Sequence, residues 1–241
     1  MNIYAVLTGL GAALGLWRAS RAAPERSREH VINGGLFFLL GCLLGARLAY
    51  CLLHSTYFSN HPEEGIQFWQ GGLFWPGAAL GGSLVILILS RSWRIPLAGL
   101  VEEMTPILPP LAIAAWLGCW QTGTAYGPSA PEGAWWGLPC RDESGDLLLR
   151  FPLQMAASLL LLLFITVMEL ITQKWKTKGI TGPATILILS VVLLAISLIR
   201  ADPGLQWAGL NIDTWSSLLL SAASLASLGR IIKNKSIVSE V

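Results

Sequence analysis

One arginine inside an apolar run is the sharpest chemical signal in the sequence. Arg47 occurs in the stretch LLGARLAYCLL. A guanidinium at membrane depth is costly unless it pairs with an anion or extends to the interface. Two interpretations follow. Arg47 extends to the outer interface, or it binds an anion, most simply a lipid phosphate, which arginine holds through two parallel hydrogen bonds.

The remaining groups with reactive side chains form no established motif. His54 and His61 fall in a polar segment, where a solvated role is expected over a role as general base. Cys119 and Cys140 fall in a second polar region, where a disulfide between them is possible but cannot be read from spacing. There is no Cys-x-x-Cys pair and no phosphate-cradling glycine loop. We therefore expect no metal, no cofactor and no nucleic-acid partner.

A glycine-rich stretch, WQGGLFWPGAALGG at 69–82, opens a long apolar run. Glycine and proline weaken helices, so their use here indicates a structural requirement. We predict that a lipid or a neighbouring helix packs closely on the bare backbone at Gly71, Gly72, Gly81 and Gly82.

The elements that must position these groups are membrane helices. Hydrophobic residues make up 54% of the 241-residue chain and charged residues 12%, against about 25% charged in a soluble domain. A membrane helix needs about 20 apolar residues. Seven segments meet this need: 2–18, 34–53, 71–90, 97–119, 151–171, 180–199 and 213–232. We predict an all-α polytopic membrane protein in which residues 1–241 form a single transmembrane domain.

Basic residues alternate between the two sides of this bundle. The joins after the first, third, fifth and seventh segments hold four, two, three and three Lys or Arg, and the other joins hold zero, two and one. Lys and Arg accumulate on the cytoplasmic side. The N-terminus is therefore predicted to be outside and the C-terminus cytoplasmic.

The two long joins on the outer side, 54–70 and 120–150, are rich in Trp, Tyr, Gly and Pro. Tryptophan and tyrosine favour the headgroup level of a membrane. These joins predict a small interfacial layer on the outer surface. In the fourth segment, Pro106, Pro109 and Pro110 predict a broken helix, which is tolerated at membrane depth only where protein or a cavity covers it.

Five stretches in order resemble the prolipoprotein diacylglyceryl transferase family. GARLAYCLLH (45–54) is similar to its Gly-Gly-Arg-x-Gly-Tyr stretch, and FWQGGLFWPGAALGG (68–82) to its Trp-x-Gly-Gly-Met-Ser-Phe-His-Gly-Gly segment. PILPPLAIAAWLGCWQTGTAYG (106–127) resembles the family signature, which runs from Pro-x-x-Pro to Gly-Arg-x-Gly-Asn-Phe-x-Asn-Gly-Glu. RFPLQM (150–155) is similar to His-Pro-x-Gln-Leu, and LIRADP (198–203) to Phe-x-Arg-x-Pro-Asp.

The resemblance implies an activity in a bacterial inner membrane. The family transfers a diacylglyceryl group from phosphatidylglycerol to the lipobox cysteine of a prolipoprotein, and glycerol phosphate leaves. Such a site needs a cationic clamp for the phosphate, a route to a thiolate, grooves for two acyl chains and an entrance for a peptide.

Several family positions match and others do not. The matching positions are Tyr4, Arg47, Gly71, Gly72, Gly118, Gly123, Gly127, Pro152, Gln154 and Arg200. The residues that replace the family's His, Arg, Asn or Glu are Pro76, Trp116, Cys119, Thr122, Thr124, Phe151 and Leu193. Arg47, Arg150 and Arg200 are the candidates for a substitute headgroup clamp. The expected function is diacylglyceryl transfer by a divergent member, and the alternative is a catalytically silent relative that binds phospholipid or a lipoprotein partner.

Overall fold

The structure, a computed structural model, describes residues 3–142, 145–175 and 179–239. Asn2, where the first predicted segment begins, and Lys176 and Lys178, counted above among the basic residues, lie outside the described residues.

Helices make up most of the described chain. They are α1 (Ile3–Ala22), α2 (Arg28–Leu53), α3 (Ser55–Phe58), α4 (Trp75–Trp93), α5 (Leu97–Met104), α6 (Leu108–Thr122), α7 (Leu153–Trp175), α8 (Thr181–Ile199) and α9 (Ile212–Ser239). Short 3-10 turns cover Glu25–Ser27, Pro62–Ile66, Phe68–Gln70 and Thr105–Ile107. Two small hairpins add β1 (Leu138–Arg141) with β2 (Leu147–Arg150), and β3 (Gln206–Trp207) with β4 (Leu210–Asn211).

The prediction of an all-α membrane bundle is confirmed. Within the described ranges, six helical segments are long and apolar enough to cross a bilayer: Ile3–Ala22, Glu25–Leu53, Leu97–Thr122, Leu153–Ile171, Thr181–Ile199 and Ile212–Lys233. The third predicted segment corresponds to α4, a helix of 19 residues that is not among these six. The count of seven is therefore approximate, because glycine, proline and Arg91 dilute the hydropathy of α4.

The predicted break in the fourth segment is confirmed. It consists of α5, the turn Thr105–Ile107 and α6, and Pro109 and Pro110 lie at the start of α6. Thr105 and Ile107 are buried, and the Thr105 hydroxyl donates to the Val101 carbonyl. Packed protein therefore covers the irregular backbone, as the membrane interior requires.

Helices α2 and α4 cross on bare glycine backbone. A Cβ built on Gly45 would lie 2.3 Å from the Gly77 carbonyl oxygen, and one on Gly81 would lie 2.2 Å from the Gly41 carbonyl oxygen. Glycines spaced four apart on both helices thus let the two backbones touch, which is the contact that small-xxx-small motifs make in membranes. A neighbouring helix therefore accounts for the glycines within α4.

Two hydrophobic clusters form the core of the described residues. One joins α1, α2, α4 and α5 through residues such as Val31, Leu100 and Ile107. The other joins α6, α7 and α8 around Trp116 and Leu161. Helix α9 docks on α8 through buried hydroxyls, of which Ser221 donates to Ser190 over 2.9 Å and Thr214 donates to Ser197 over 3.0 Å. Hydroxyl contacts of this kind hold helices together where apolar packing has no advantage over lipid.

We predict that the α2–α4 crossing limits stability. Gly45→Ala forces its Cβ against the Gly77 carbonyl, so we expect a loss of about 1–3 kcal/mol, the usual cost of overpacking. Gly9→Ala is the matched control, because nothing lies within 4 Å of the added Cβ and alanine favours a helix. Thermal unfolding of the purified protein in detergent measures both. Equal melting temperatures for the two variants would contradict this packing.

Candidate functional site

Arg47 fastens the loop of residues 64–72 to α2. Its Nε donates to the Gly65 carbonyl over 2.9 Å, its Nη1 to the Gly71 and Gly72 carbonyls over 2.8 and 3.2 Å, and its Nη2 to the Glu64 carbonyl. The guanidinium also lies 5.3 Å from the centre of the Phe58 ring. Backbone oxygens of residues 64–72 thus accept the hydrogen bonds that a lipid phosphate was expected to accept. Whether Arg47 also binds a headgroup stays a prediction.

Gly71 and Gly72 form the turn that presents those oxygens. Both adopt positive φ angles, +101° and +67°. At Gly72 a Cβ would lie 2.5 Å from the Tyr50 ring and 2.8 Å from Arg47 Nη1, whereas at Gly71 the space is open and only the φ angle requires glycine. The paired glycines therefore serve the Arg47 contact.

Arg200 lies between two carboxylates at the C-terminal end of α8. Its Nε and Nη2 donate to the two oxygens of Asp202 over 2.8 and 2.6 Å, and its Nη1 donates to Asp213 over 2.6 Å. The three side chains are only 18%, 8% and 15% exposed, in the order Arg200, Asp202, Asp213. Burial opposes the charged form, but the hydrogen bonds that Arg200 donates to Asp202 and the charges of both aspartates outweigh it, so the pKa of Arg200 is raised.

The end of α6 and the start of α1 meet beside this ion network. A Cβ on Gly118 would lie 2.6 Å from the Tyr4 ring, so this glycine makes room for the tyrosine. The Cys119 thiol lies close enough to Thr124 and Arg200 to interact with both. The structure thus brings three matched positions, at 4, 118 and 200, to one place.

The turn after α6 carries two hydroxyls at this place. Gly123 ends α6 with a positive φ of +66°. On either side of it, the Thr122 and Thr124 hydroxyls lie 2.9 Å apart, and both residues are exposed. Asp202 accepts a hydrogen bond from the Ala125 amide over 3.1 Å, which ties the turn to Arg200.

Arg150 reaches the same segment from the other side. Its guanidinium lies 4.0 Å from the centre of the Tyr126 ring and donates to Asp142 over 3.3 Å. The Tyr126 carbonyl accepts from the Ala201 amide over 3.0 Å, so Arg150 and Arg200 flank one strip of chain. Arg47, on α2, holds a different loop, 64–72. The candidate clamp is therefore split between two loops.

The other matched positions support residues 124–127. Gln154 is fully buried and donates to the Thr124 carbonyl over 2.9 Å. A Cβ on Gly127 would lie 2.6 Å from the Phe151 carbonyl oxygen, so only glycine fits there. Pro152 precedes α7, and its carbonyl accepts from the Ala156 amide over 3.0 Å. These residues shape the site without presenting a reactive group.

The apolar replacements are packed. Pro76 is buried in the first turn of α4. Trp116 is 8% exposed in the core cluster of α6, α7 and α8, and Leu193 packs against the same cluster. Phe151 makes an edge contact with Trp136, with 6.0 Å between ring centres. The positions where the resemblance expects polar groups are therefore filled by side chains that stabilise the bundle.

The cysteines and histidines occupy separate places. Cys119 and Cys140 are both free, so the possible disulfide is not formed. Burial raises the pKa of the Cys140 thiol. His54 and His61 are exposed in the segment that follows α2, where His54 Nδ1 lies 3.0 Å from the Tyr50 carbonyl oxygen. His61 lies close to Glu63 and Glu64, and the nitrogen and oxygen atoms that these three residues could offer to a metal are within 4.8 Å of one another, although their spacing in the sequence forms no metal motif.

The sequence reasoning also missed the acidic partners of the predicted arginines. Asp202 and Asp213 neutralise Arg200, and Asp142 faces Arg150. The sequence contained a signal of these pairs, because Asp202 stands two residues after Arg200 and Asp213 lies in the first turn of α9. The arginines were considered only as ligands for a phosphate, without the carboxylates that lie near them.

Comparison with known proteins gives a consistent result. The family model described as prolipoprotein diacylglyceryl transferase matches residues 1–229. The chain is 28% identical over 235 residues to the phosphatidylglycerol–prolipoprotein diacylglyceryl transferase of Verminephrobacter eiseniae, covering 92% of this chain and 84% of the relative. It is 27% identical to the transferase of the same name from Polaromonas naphthalenivorans, covering 92% and 79%. A shorter match to the Bacillus licheniformis transferase has 34% identity over 116 residues, 47% of this chain and 43% of the relative.

We predict that Arg200 is required for stability. Arg200→Gln leaves Asp202 and Asp213 buried without their cation, and breaking a buried ion pair costs about 3–5 kcal/mol. Arg28→Gln is the matched control, because its pair with Glu25 is 3.7 Å long and the two side chains are 40% and 87% exposed; we expect a loss below about 1 kcal/mol. Thermal unfolding in detergent compares the two. A melting temperature for Arg200→Gln equal to that of Arg28→Gln would show that the network is not structural.

Proposed function

Because the chain belongs to the prolipoprotein diacylglyceryl transferase family, we propose that it transfers a diacylglyceryl group from phosphatidylglycerol to the cysteine thiol of a prolipoprotein. The observation that carries the proposal is the meeting of Tyr4, Gly118 and Arg200 at one end of the bundle. These positions are far apart in the chain, and all three match the family pattern.

The reaction defines what this end of the bundle must do. A bond forms between the thiol sulfur and the glyceryl carbon, the bond from that carbon to the phosphate oxygen breaks, and glycerol phosphate leaves with the electron pair. The thiol proton must pass to a base within hydrogen-bond reach. The negative charge that develops on the phosphate needs preorganised donors.

The available groups fit these roles in part. The exposed hydroxyls of Thr122 and Thr124 can donate to a phosphate or ester oxygen beside Arg200. Asp202 and Asp213 are the carboxylates that the structure places at this site, and we assign the role of base to this pair. The proposed mechanism therefore uses residues that differ from the family pattern.

One observation favours a second candidate, a catalytically silent relative that binds phosphatidylglycerol or a prolipoprotein. Pro76, Trp116 and Leu193 are apolar and packed where the resemblance expects polar groups. Arg47, Arg150 and Arg200 also donate hydrogen bonds within the protein. A site of this kind can keep a lipid-binding cavity while it lacks the groups that accelerate transfer.

We predict that the purified protein transfers labelled diacylglyceryl from phosphatidylglycerol to a lipobox peptide. Thr124→Val should lower the rate at least about tenfold, since a lost donor to developing charge has that effect or more. Thr56→Val, an exposed threonine of α3, is the matched control and should keep the wild-type rate. Mass spectrometry of the peptide measures transfer, and complementation of a transferase-depleted strain tests it in cells.

The outcomes of this assay separate the two candidates. Retention of phosphatidylglycerol without transfer would replace the enzyme with the silent relative. If the protein neither retains phosphatidylglycerol nor transfers diacylglyceryl, both proposed functions of this end of the bundle are excluded.

We also propose that residues 1–241 act as one transmembrane domain in a bacterial inner membrane, with the N-terminus outside and the C-terminus cytoplasmic. The basic joins support this orientation.

We predict that alkaline phosphatase fused after Trp69 is active and that the same enzyme fused after Arg94 is inactive. The reverse pattern would overturn the orientation and would place the Arg200 site on the cytoplasmic face.

A further inference from the structure

A polar cavity lies at the end of the bundle opposite to Arg200. It has a volume of about 300 Å³ and lies between α1, α5, α6, α7 and α8. Its charged lining consists of Arg18, Arg21, Glu102 and Glu169, with Trp17 beside them. Because α1 runs from Tyr4 at one end to Arg21 at the other, this cavity is separate from the proposed transfer site.

The charges in this cavity balance. Arg18 pairs with Glu169, and their side chains are 29% and 40% exposed. The Arg21 guanidinium lies 5.7 Å from the centre of the Trp17 ring. The Glu102 carboxylate accepts a hydrogen bond from the Gly182 amide over 2.8 Å, which fixes its position at the start of α8. Two cations and two carboxylates therefore face one space, so the cavity favours a ligand that carries both signs of charge.

An apolar groove continues from the polar cavity. Its volume is about 380 Å³, and it shares Arg18, Pro109 and Glu169 with the cavity. Leu7, Leu14 and other apolar residues of α1, α6 and α7 line the rest. Leu7 and Arg18 are about 16 Å apart along α1 at a rise of about 1.5 Å per residue. This length is close to half of the roughly 30 Å hydrocarbon core, so it suits an acyl chain from a single leaflet.

We propose that the cavity and groove together hold a phospholipid with a zwitterionic headgroup, such as phosphatidylethanolamine, from the leaflet opposite to the transfer site. Its phosphate lies on Arg21 and Arg18, its ammonium group lies on Glu102, and one acyl chain occupies the groove. An anionic headgroup without an ammonium leaves Glu102 without a cation. This site is independent of diacylglyceryl transfer, and it holds a lipid that the reaction does not consume.

Native mass spectrometry of the purified protein with equimolar phosphatidylethanolamine and phosphatidylglycerol tests the proposal. We expect the wild type to retain phosphatidylethanolamine at least about tenfold better at one site. Arg21→Gln should lower this retention severalfold, and Glu102→Gln should remove the preference for phosphatidylethanolamine. Arg91→Gln is the matched control, because Arg91 is exposed at the end of α4 and is not part of the cavity.

A second variant tests the groove without changing the charges. Leu162→Trp fills the apolar part, and because Leu162 is 54% exposed the fold should tolerate it. We expect it to lower phosphatidylethanolamine retention while the melting temperature stays at the wild-type value. A wild type that retains no phosphatidylethanolamine, or equal retention of phosphatidylethanolamine by Arg21→Gln and Arg91→Gln, would overturn the proposal. A phosphatidylglycerol molecule that stays bound in Arg21→Gln belongs to the transfer site, so the two sites are distinguishable.

Discussion

The end of the bundle where α6 and α8 end and α9 begins depends on one buried cation. Arg200 joins Asp202, which follows it in the chain, to Asp213 at the start of α9. Asp202 also accepts from the Ala125 amide and so holds the turn after α6. A guanidinium has five donors in a fixed plane, and this shape lets one side chain fasten three segments at once. The ends of α6, α8 and α9 meet where they do because each is tied to this group.

The loop of residues 64–72 is also held by one arginine, but with different partners. Arg47 uses backbone carbonyls of residues 64–72 in place of carboxylates. The contact is possible because α2 and α4 approach on bare glycine and because Gly72 leaves room for the guanidinium. The arginine and the glycines are thus one arrangement, in which close helix packing sets the position at which the loop of residues 64–72 is held. Both arginines donate their hydrogen bonds within the protein, Arg200 to two carboxylates and Arg47 to carbonyl oxygens, which changes how an anionic substrate would be recognised.

Much of the fold could be predicted from the sequence, because hydropathy, proline and glycine act locally. The apolar runs place the helices, Pro106 marks the break between α5 and α6, and the glycine-rich stretch indicates close backbone contact. The partners of the arginines could not be predicted in the same way. They depend on the path of loops and on the meeting of residues such as Arg200 and Asp213 across a turn and a hairpin. Tyr4, Gly118 and Arg200 match the family pattern in the sequence. They form a candidate site only because the fold brings them together.

We propose that phosphatidylglycerol binds at the end of the bundle where Tyr4, Thr124 and Arg200 meet. The most direct test uses phosphatidylglycerol with a photoreactive group on its glycerol headgroup, crosslinked in proteoliposomes and mapped by peptide mass spectrometry. We expect labelling of the segment between α6 and β1, around Thr122–Ala125, and of the residues that follow α8. Labelling confined to the opposite end, around Arg18 and Glu169, would contradict it.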